Sequence, residues 1–409
     1  MVKHAVVAVV GFVALAALVG CGGPGGGAAA TFGGDVAFLK QHIKDVIVLA
    51  DKSGSAEVAV VPLYQGRVMT STAGGPEGLS YGWINRKLIA SGERLKGMNP
   101  FGGEDRLWFG PEGGQFSVFF KKGAPFDMKN WNTPEAIDWG AWETVAKTSD
   151  SATFRKQFTL VNFSDTRFDV LAERTVRLLG PADIQKNFGV DPGPNVKAVA
   201  YESDNRITNK GDKAWEKATG LLSIWILCMY NPSPTTVIVV PFVQGPEEKL
   251  GRIVNDAYFG KVPPERLVIR NNAIFFCADG KKRGKIGVGP FRARPILGSY
   301  DAANHVLTLA QYTRPDGAMD YVNSMWEVQQ NPFAGDVVNS YNDGPNETGG
   351  MLGPFYELES SSPAAALQPG QTMEHIHRTV HIQGPEPELD RIARATLGVG
   401  LDEIKNAFK

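Results

Sequence analysis

Gly353-Pro-Phe-Tyr-Glu-Leu-Glu-Ser-Ser-Ser-Pro363, then Leu367-Gln-Pro-Gly-Gln-Thr-Met-Glu-His-Ile-His-Arg-Thr-Val-His381, reads as two β-strands separated by proline and glycine. Side chains alternate across a strand, so Glu357 and Glu359 share one face, as do His375, His377 and His381. Adjacent carboxylates raise each other's pKa, which makes one of them a base near neutrality. The same-face histidines also resemble a metal set. A two-residue step, however, points imidazoles along the strand rather than toward one centre, and no fourth ligand is evident. Surface or hydrogen-bonded histidines are the plainer reading, and no metal is expected.

The same grammar extends over most of the 409 residues. Phe116–Phe120, Thr153–Asn162, Phe168–Leu179, Lys197–Ser203, Leu221–Tyr230, Thr235–Val243, Leu267–Phe276, Val306–Thr313, Tyr321–Gln329 and Thr379–Gln383 all read as strands. Some alternate; Val237-Ile-Val-Val240 is a solid apolar run suited to a strand covered on both faces. The 47 glycines and 26 prolines fall mainly between short apolar runs, which suits strands and turns better than a helical bundle. Asp35–Lys44 has helical spacing, and Asp45–Ala50 with Ala56–Val61 forms a hairpin across Asp51-Lys-Ser-Gly-Ser55. Leu389–Phe408 regains a helical period, split into two short helices by Gly398-Val-Gly400. One large β-sandwich domain closed by a C-terminal helical segment accounts for the pattern.

The N-terminus has a basic start (Lys3, His4), an apolar stretch from Ala5 to Leu18 and then Val19-Gly20-Cys21. It reads as a secretory signal over residues 1–20. Cysteine directly after Gly20 resembles the bacterial lipobox, which implies cleavage before Cys21 and lipid on that residue; an ordinary signal peptide or an uncleaved anchor is the alternative. Residues 21–34 read as a Gly/Ala-rich tether, 35–388 as the β-domain and 389–409 as the helical segment. The expected location is the bacterial cell envelope, on the outer membrane or the periplasmic face. Gly22 after Cys21 favours the outer membrane, by resemblance to well-studied lipoproteins. The membrane would be met through acyl chains, since no later segment is apolar enough to cross a bilayer. A formal net charge of −1 argues against a nucleic-acid partner. Cys228 and Cys277 sit in apolar runs as small hydrophobes, and export leaves pairing between them open.

Two more clusters carry chemistry. In Asn99–Gly114, Glu104, Asp105 and Arg106 supply donors and acceptors and Trp108 a flat apolar face, a combination suited to a pyranose. A Gly-rich loop with one structural Arg–carboxylate pair is the alternative. Between Asn331 and Pro345, shortly after Trp326, Asn339, Asn342 and Asp343 offer oxygens and amides for hydroxyls or a calcium ion, or form tandem turns. The spacing does not fit an EF-hand.

A Glu-ended strand, a proline, Leu-x-Pro-Gly and a His-bearing last strand together resemble the C-terminal signature of the galactose mutarotase-like (aldose 1-epimerase) superfamily. With Gly66-Arg-Val68, Gly103-Glu-Asp-Arg-Leu-Trp108 and Gly335–Pro345, the mature chain resembles an uncharacterised family of bacterial lipoproteins near it. The resemblance implies an all-β fold, a large antiparallel β-supersandwich with a sugar-accommodating concave face, flanked here by short N- and C-terminal helices. It also implies a strand Glu as base, matched best by Glu359 with Glu357 as fallback, and a histidine as acid. No histidine stands in the Gly-Glu-Asp-Arg region; His305 is the one available for recruitment. The expected function is lipid-anchored saccharide binding without a cofactor. Glu104, Asp105, Arg106, Asn339, Asn342, Asp343, His375 and His377 would hold hydroxyls, and Trp108 or Trp326 would stack. A sugar epimerase, mutarotase or lyase, or a non-catalytic structural lipoprotein, are the alternatives.

Overall fold

Along Arg167–Leu179, Phe168, Val170, Ala172, Arg174, Val176 and Leu178 are buried while the residues between them, Asp169 to Arg177, are half-buried. That is the period-two pattern of a sheet with one face on a core. In the computed structural model, which describes residues 30–346 and 349–409, this strand belongs to a ten-stranded sheet. Its order is Leu267–Arg270, Ala273–Cys277, Thr236–Pro241, Ile296–Asp301, Val306–Tyr312, Thr372–Gln383, Lys197–Asn209, Arg167–Leu179, Ser151–Val161, Glu143–Lys147. A five-stranded sheet runs Gly284–Val288, Val338–Asn342, Tyr356–Ser361, Ser223–Tyr230, Arg106–Gly110. A three-stranded sheet holds Ile47–Ala50, Glu57–Val61 and Arg67–Thr72. The ladders of the ten- and five-stranded sheets are antiparallel throughout. The protein is an antiparallel β-supersandwich.

The main core lies between the two larger sheets, joining Val176, Tyr201 and Ile238 to Ile226, Ile286 and Leu358. The solid run over 237–240 is buried on both faces, as its composition predicts. Ile238 and Val240 enter this core, whereas Val237 and Val239 pack with Leu389, Ile392 and Leu397 of the Glu386–Leu397 helix. The Leu401–Lys405 helix follows the glycine break. The N-terminal helix spans Phe32–His42 rather than starting at Asp35. Thr31 Oγ1 caps it by accepting from the Gly34 N–H at 3.2 Å, inside the expected tether.

Two expected strands are loops. At Phe116–Phe120 the backbone bonds locally, Ser117 N–H to the Gly114 carbonyl at 3.0 Å and Val118 N–H to Pro111 at 3.2 Å. At Tyr321–Gln329 the Gln329 amide donates to the Asn323 and Met325 carbonyls at 3.1 and 2.7 Å and curls the chain. Conversely, Val338–Asn342 and Arg106–Gly110 are strands, not turns or a Gly-rich loop. The signal sequence, Cys21 and most of the tether lie outside the described residues. Among the described residues no helix is long and apolar enough to cross a membrane.

Candidate functional site

Strand alternation builds the site. On the five-stranded sheet, Ile226, Cys228, Leu358 and Ser360 face the ten-stranded sheet. The opposite parity therefore points outward, and Arg106, Trp108, Trp225, Leu227, Lys285, Tyr341 and Glu357 line one cleft of about 230 Å³. Register aligns them: Arg106 is opposite Leu227, Leu227 opposite Glu359, Glu357 opposite Tyr341, and Tyr341 opposite Lys285. Loops bring Glu112, Trp131 and Trp326 as walls, with Met128, Phe259 and Leu352 at the rim, where each is exposed. An aromatic-walled hollow with a few convergent polar groups is the usual form of a small-molecule site.

Arg106 Nη2 donates to Glu357 Oε1 at 2.9 Å, and its guanidinium centre lies 4.2 Å from the Trp108 ring centroid. Segments 251 residues apart in sequence thus meet in the cleft. Arg106 Nε and Nη1 and Trp108 Nε1 have no hydrogen-bond partner among the described residues. Buried donors of this kind are available to an oxygen of a bound molecule or of water. Burial pushes the Glu357 carboxyl up to about 7 against the opposing pull of Arg106, with Glu359 adding to the rise. Burial also raises the Glu112 carboxyl, while Lys285 and the indoles of Trp326 and Trp131 draw it down.

Glu359, the expected base, does not line the cleft. It is fully buried beneath the floor, where its Oε2 accepts from Lys285 Nζ at 3.0 Å and from Trp225 Nε1 at 2.9 Å. Lys285 also sits 4.7 Å from the Trp225 ring centroid, so Glu359 anchors a lysine that the cleft displays. Arg106, Trp108, Trp326 and Glu357 are brought together as expected of one hollow. The other expected residues are elsewhere.

Glu104 and Asp105, just ahead of the Arg106–Gly110 strand, are fully buried and do not line the cleft. Glu104 Oε2 meets His381 Nε2 at 2.8 Å, Ser71 Oγ at 2.9 Å and the Tyr201 hydroxyl at 3.1 Å. Asp105 pairs with Arg174 at 2.6 Å. His375 Nε2 and His377 Nδ1 both reach Ser360 Oγ at 2.9 Å. The same-face reading of these histidines holds, but the face is the sandwich interior, so they meet no ligand in the cleft. His305 stands with φ 51° in the exposed turn between Ile296–Asp301 and Val306–Tyr312, away from the cleft lining. Asn342 and Asp343 hold backbone, through Gly280 N–H at 2.9 Å and the Leu352 and Gly353 N–H groups at 2.8 Å. Asn339 donates to the Tyr258 hydroxyl at 3.1 Å in a small void beside the cleft. Among the described residues no group of His, Cys, Asp and Glu is placed to hold a metal ion. Cys228 and Cys277 are both free thiols, in different sheets.

Glu112, Lys285 and Trp131 line the cleft without standing out in the sequence. Glu112 falls within the Asn99–Gly114 cluster, and the Pro111-Glu-Gly-Gly114 run is its available signal. Lys285 carried none, being one lysine among several in a Gly/Lys-rich stretch.

These features define a class: an antiparallel β-supersandwich with a charged, aromatic-walled cleft on the outer face of its smaller sheet. The chain matches the family of unknown function DUF6786 over residues 30–408 and belongs to it. No curated protein matches it. Its shape is similar to that of the Slr1438 protein from Synechocystis sp. PCC 6803, at 12% identity and a TM-score of 0.47, over 83% of this chain and 96% of that one. A galactose mutarotase-like protein from Lactobacillus casei ATCC 334 is similar at 10% identity and a TM-score of 0.46, over 83% and 100%. A galactose mutarotase related enzyme from Lactobacillus acidophilus is similar at 8% identity and a TM-score of 0.44, over 82% and 97%.

Proposed function

We propose that the protein binds a saccharide in the cleft on its smaller sheet. The supporting observation is the Arg106–Glu357 pair at 2.9 Å beside Trp108, walled by Trp131, Trp225 and Trp326. A sugar ring presents C–H faces to indoles and hydroxyls to charged groups, and the cleft supplies both. Trp131→Ala and Trp326→Ala are expected to weaken binding about 10-fold each, or ~1.4 kcal/mol. Calorimetry of the full chain against mono- and oligosaccharides checks this; no heat with any sugar from folded protein overturns the reading.

A second reading, turnover by proton transfer, is favoured by the Glu357 carboxyl lying near 7 within the cleft. Carboxyls tuned toward neutrality serve as acids and bases. We also propose that the protein is exported and tethered to the cell envelope through lipid on Cys21, a reading supported by the Leu18-Val-Gly-Cys21 sequence.

A further inference from the structure

Resting on the saccharide reading, we propose that the sugar taken by this cleft is an acidic one, a hexuronate residue whose carboxylate is held by Arg283. The chain as a whole has a formal net charge of −1, yet four cations, Lys96, Arg106, Arg283 and Lys285, line this one hollow against two carboxyls, Glu112 and Glu357.

The four cations are not equivalent. Arg106 is committed to Glu357 at 2.9 Å, and Lys285 to Glu359 at 3.0 Å. Lys96 is exposed, a point charge on a flexible stem. Arg283 is half-buried and fixed in place without an ion pair among the described residues. Its Nε donates to the Tyr341 hydroxyl at 3.2 Å, and its guanidinium centre lies 3.8 Å from the Phe259 ring centroid. Phe259 in turn meets Tyr341 edge-on, with ring centroids 5.9 Å apart. Asp343, which accepts from the Tyr341 hydroxyl at 2.5 Å, turns its other oxygen to the Leu352 and Gly353 N–H groups and so leaves Arg283 unpaired. What remains open on Arg283 is the Nη1 and Nη2 fork, whose planar geometry matches a carboxylate bidentately.

Register sets the span. Tyr341 stands opposite Glu357, so Arg283, bonded to Tyr341, and Arg106, bonded to Glu357, are tied to neighbouring strands about 4.8 Å apart. One pyranose can therefore set its ring oxygens against the open Nε and Nη1 of Arg106 and its carboxylate against Arg283. A singly charged carboxylate suits this lining better than a phosphate dianion. Glu112 and Glu357 stand in the same walls and repel a second negative charge.

The test uses the full chain and titration calorimetry. The probes are the methyl glycosides of D-glucuronate and D-galacturonate, their neutral methyl esters, the glycosides of D-glucose and D-galactose, and oligosaccharides built from each. The acids are expected to bind about 10-fold more tightly than the esters and neutral sugars, and to lose most of that advantage as salt rises to about 0.5 M. Arg283→Gln is expected to bring acid and ester within about 3-fold of each other. Arg283→Lys, which keeps the charge but not the fork, should retain part of the preference; circular dichroism verifies that each variant is folded. Equal binding of acid and ester by the wild type overturns the proposal, as does an acid preference that survives in folded Arg283→Gln. Tighter binding of glucose 6-sulfate or glucose 6-phosphate than of the glucuronoside overturns the carboxylate. The saccharide reading survives all three of those results. Heat with no sugar of either kind overturns that reading, and the acidic sugar with it.

Discussion

Glu357 and Glu359 are two residues apart on one strand face, yet they have different surroundings. Glu359 has a lysine and an indole N–H, while Glu357 has one guanidinium and the cleft. A raised carboxyl pKa has a signed consequence for stability. The folded state holds the Glu357 proton up to about 7, whereas the unfolded chain releases it near its ordinary 4.5. Its contribution is therefore complete below about pH 4.5 and is lost as pH rises toward 7. Glu357→Gln, which mimics the protonated form, should gain on the wild type between pH 5 and pH 8 by up to roughly 3 kcal/mol. Urea midpoints at the two pH values measure it; a difference that does not change with pH means that Glu357 titrates as an ordinary carboxyl. At this scale the sequence was legible for Arg106, Trp108, Trp326 and the glutamate pair. The order within that pair was not, because alternation assigns a face but not a depth below it.

Elements decide which expected residues reach the cleft. The Thr372–Gln383 strand shows the limit of pattern reading: His375, His377 and His381 do share a face, but that face is covered by the five-stranded sheet. Burial lowers His375 to about 3, with His377 adding to the fall, and lowers His377 to about 4. Both stay neutral in the fold while the unfolded chain protonates near 6.5, so their contribution is whole above about pH 6.5 and is lost as pH falls toward 4. His377→Gln is expected to flatten this acid limb of stability between pH 6.5 and 4, read as guanidinium midpoints. An unchanged limb would mean that the unfolding of this strand is not linked to His377. Long apolar or alternating strands were readable because burial imposes their period. Gly284–Val288 and Val338–Asn342 were not, since Asn, Ser and Gly carry turn chemistry; Val338–Asn342 becomes sheet by pairing with Tyr356–Ser361, and Gly284–Val288 by pairing with Val338–Asn342.

For the whole molecule, the two faces of the ten-stranded sheet are used differently. One meets the smaller sheet, and the C-terminal helices cover the middle of the other through Leu389, Ile392, Leu397 and Leu401. The cleft falls on the remaining outer face, that of the smaller sheet, where loops from several stretches of chain converge. No helix among the described residues offers a membrane span, and a net charge of −1 provides no basic excess to hold an anionic surface. On the Cys21 reading, acyl chains attach the protein to the membrane. One chain gives marginal, reversible binding, and two or more give a stable anchor. The full chain expressed in a bacterial host should therefore incorporate labelled palmitate and partition into the detergent phase of a phase-separating mixture. Cys21→Ser should do neither, while its tryptophan emission and unfolding midpoint stay at wild-type values, because Cys21 precedes in sequence the first described helix, Phe32–His42. Label in the Cys21→Ser protein, or none in the wild type, would show that lipid on this residue is not what holds the cleft at the envelope.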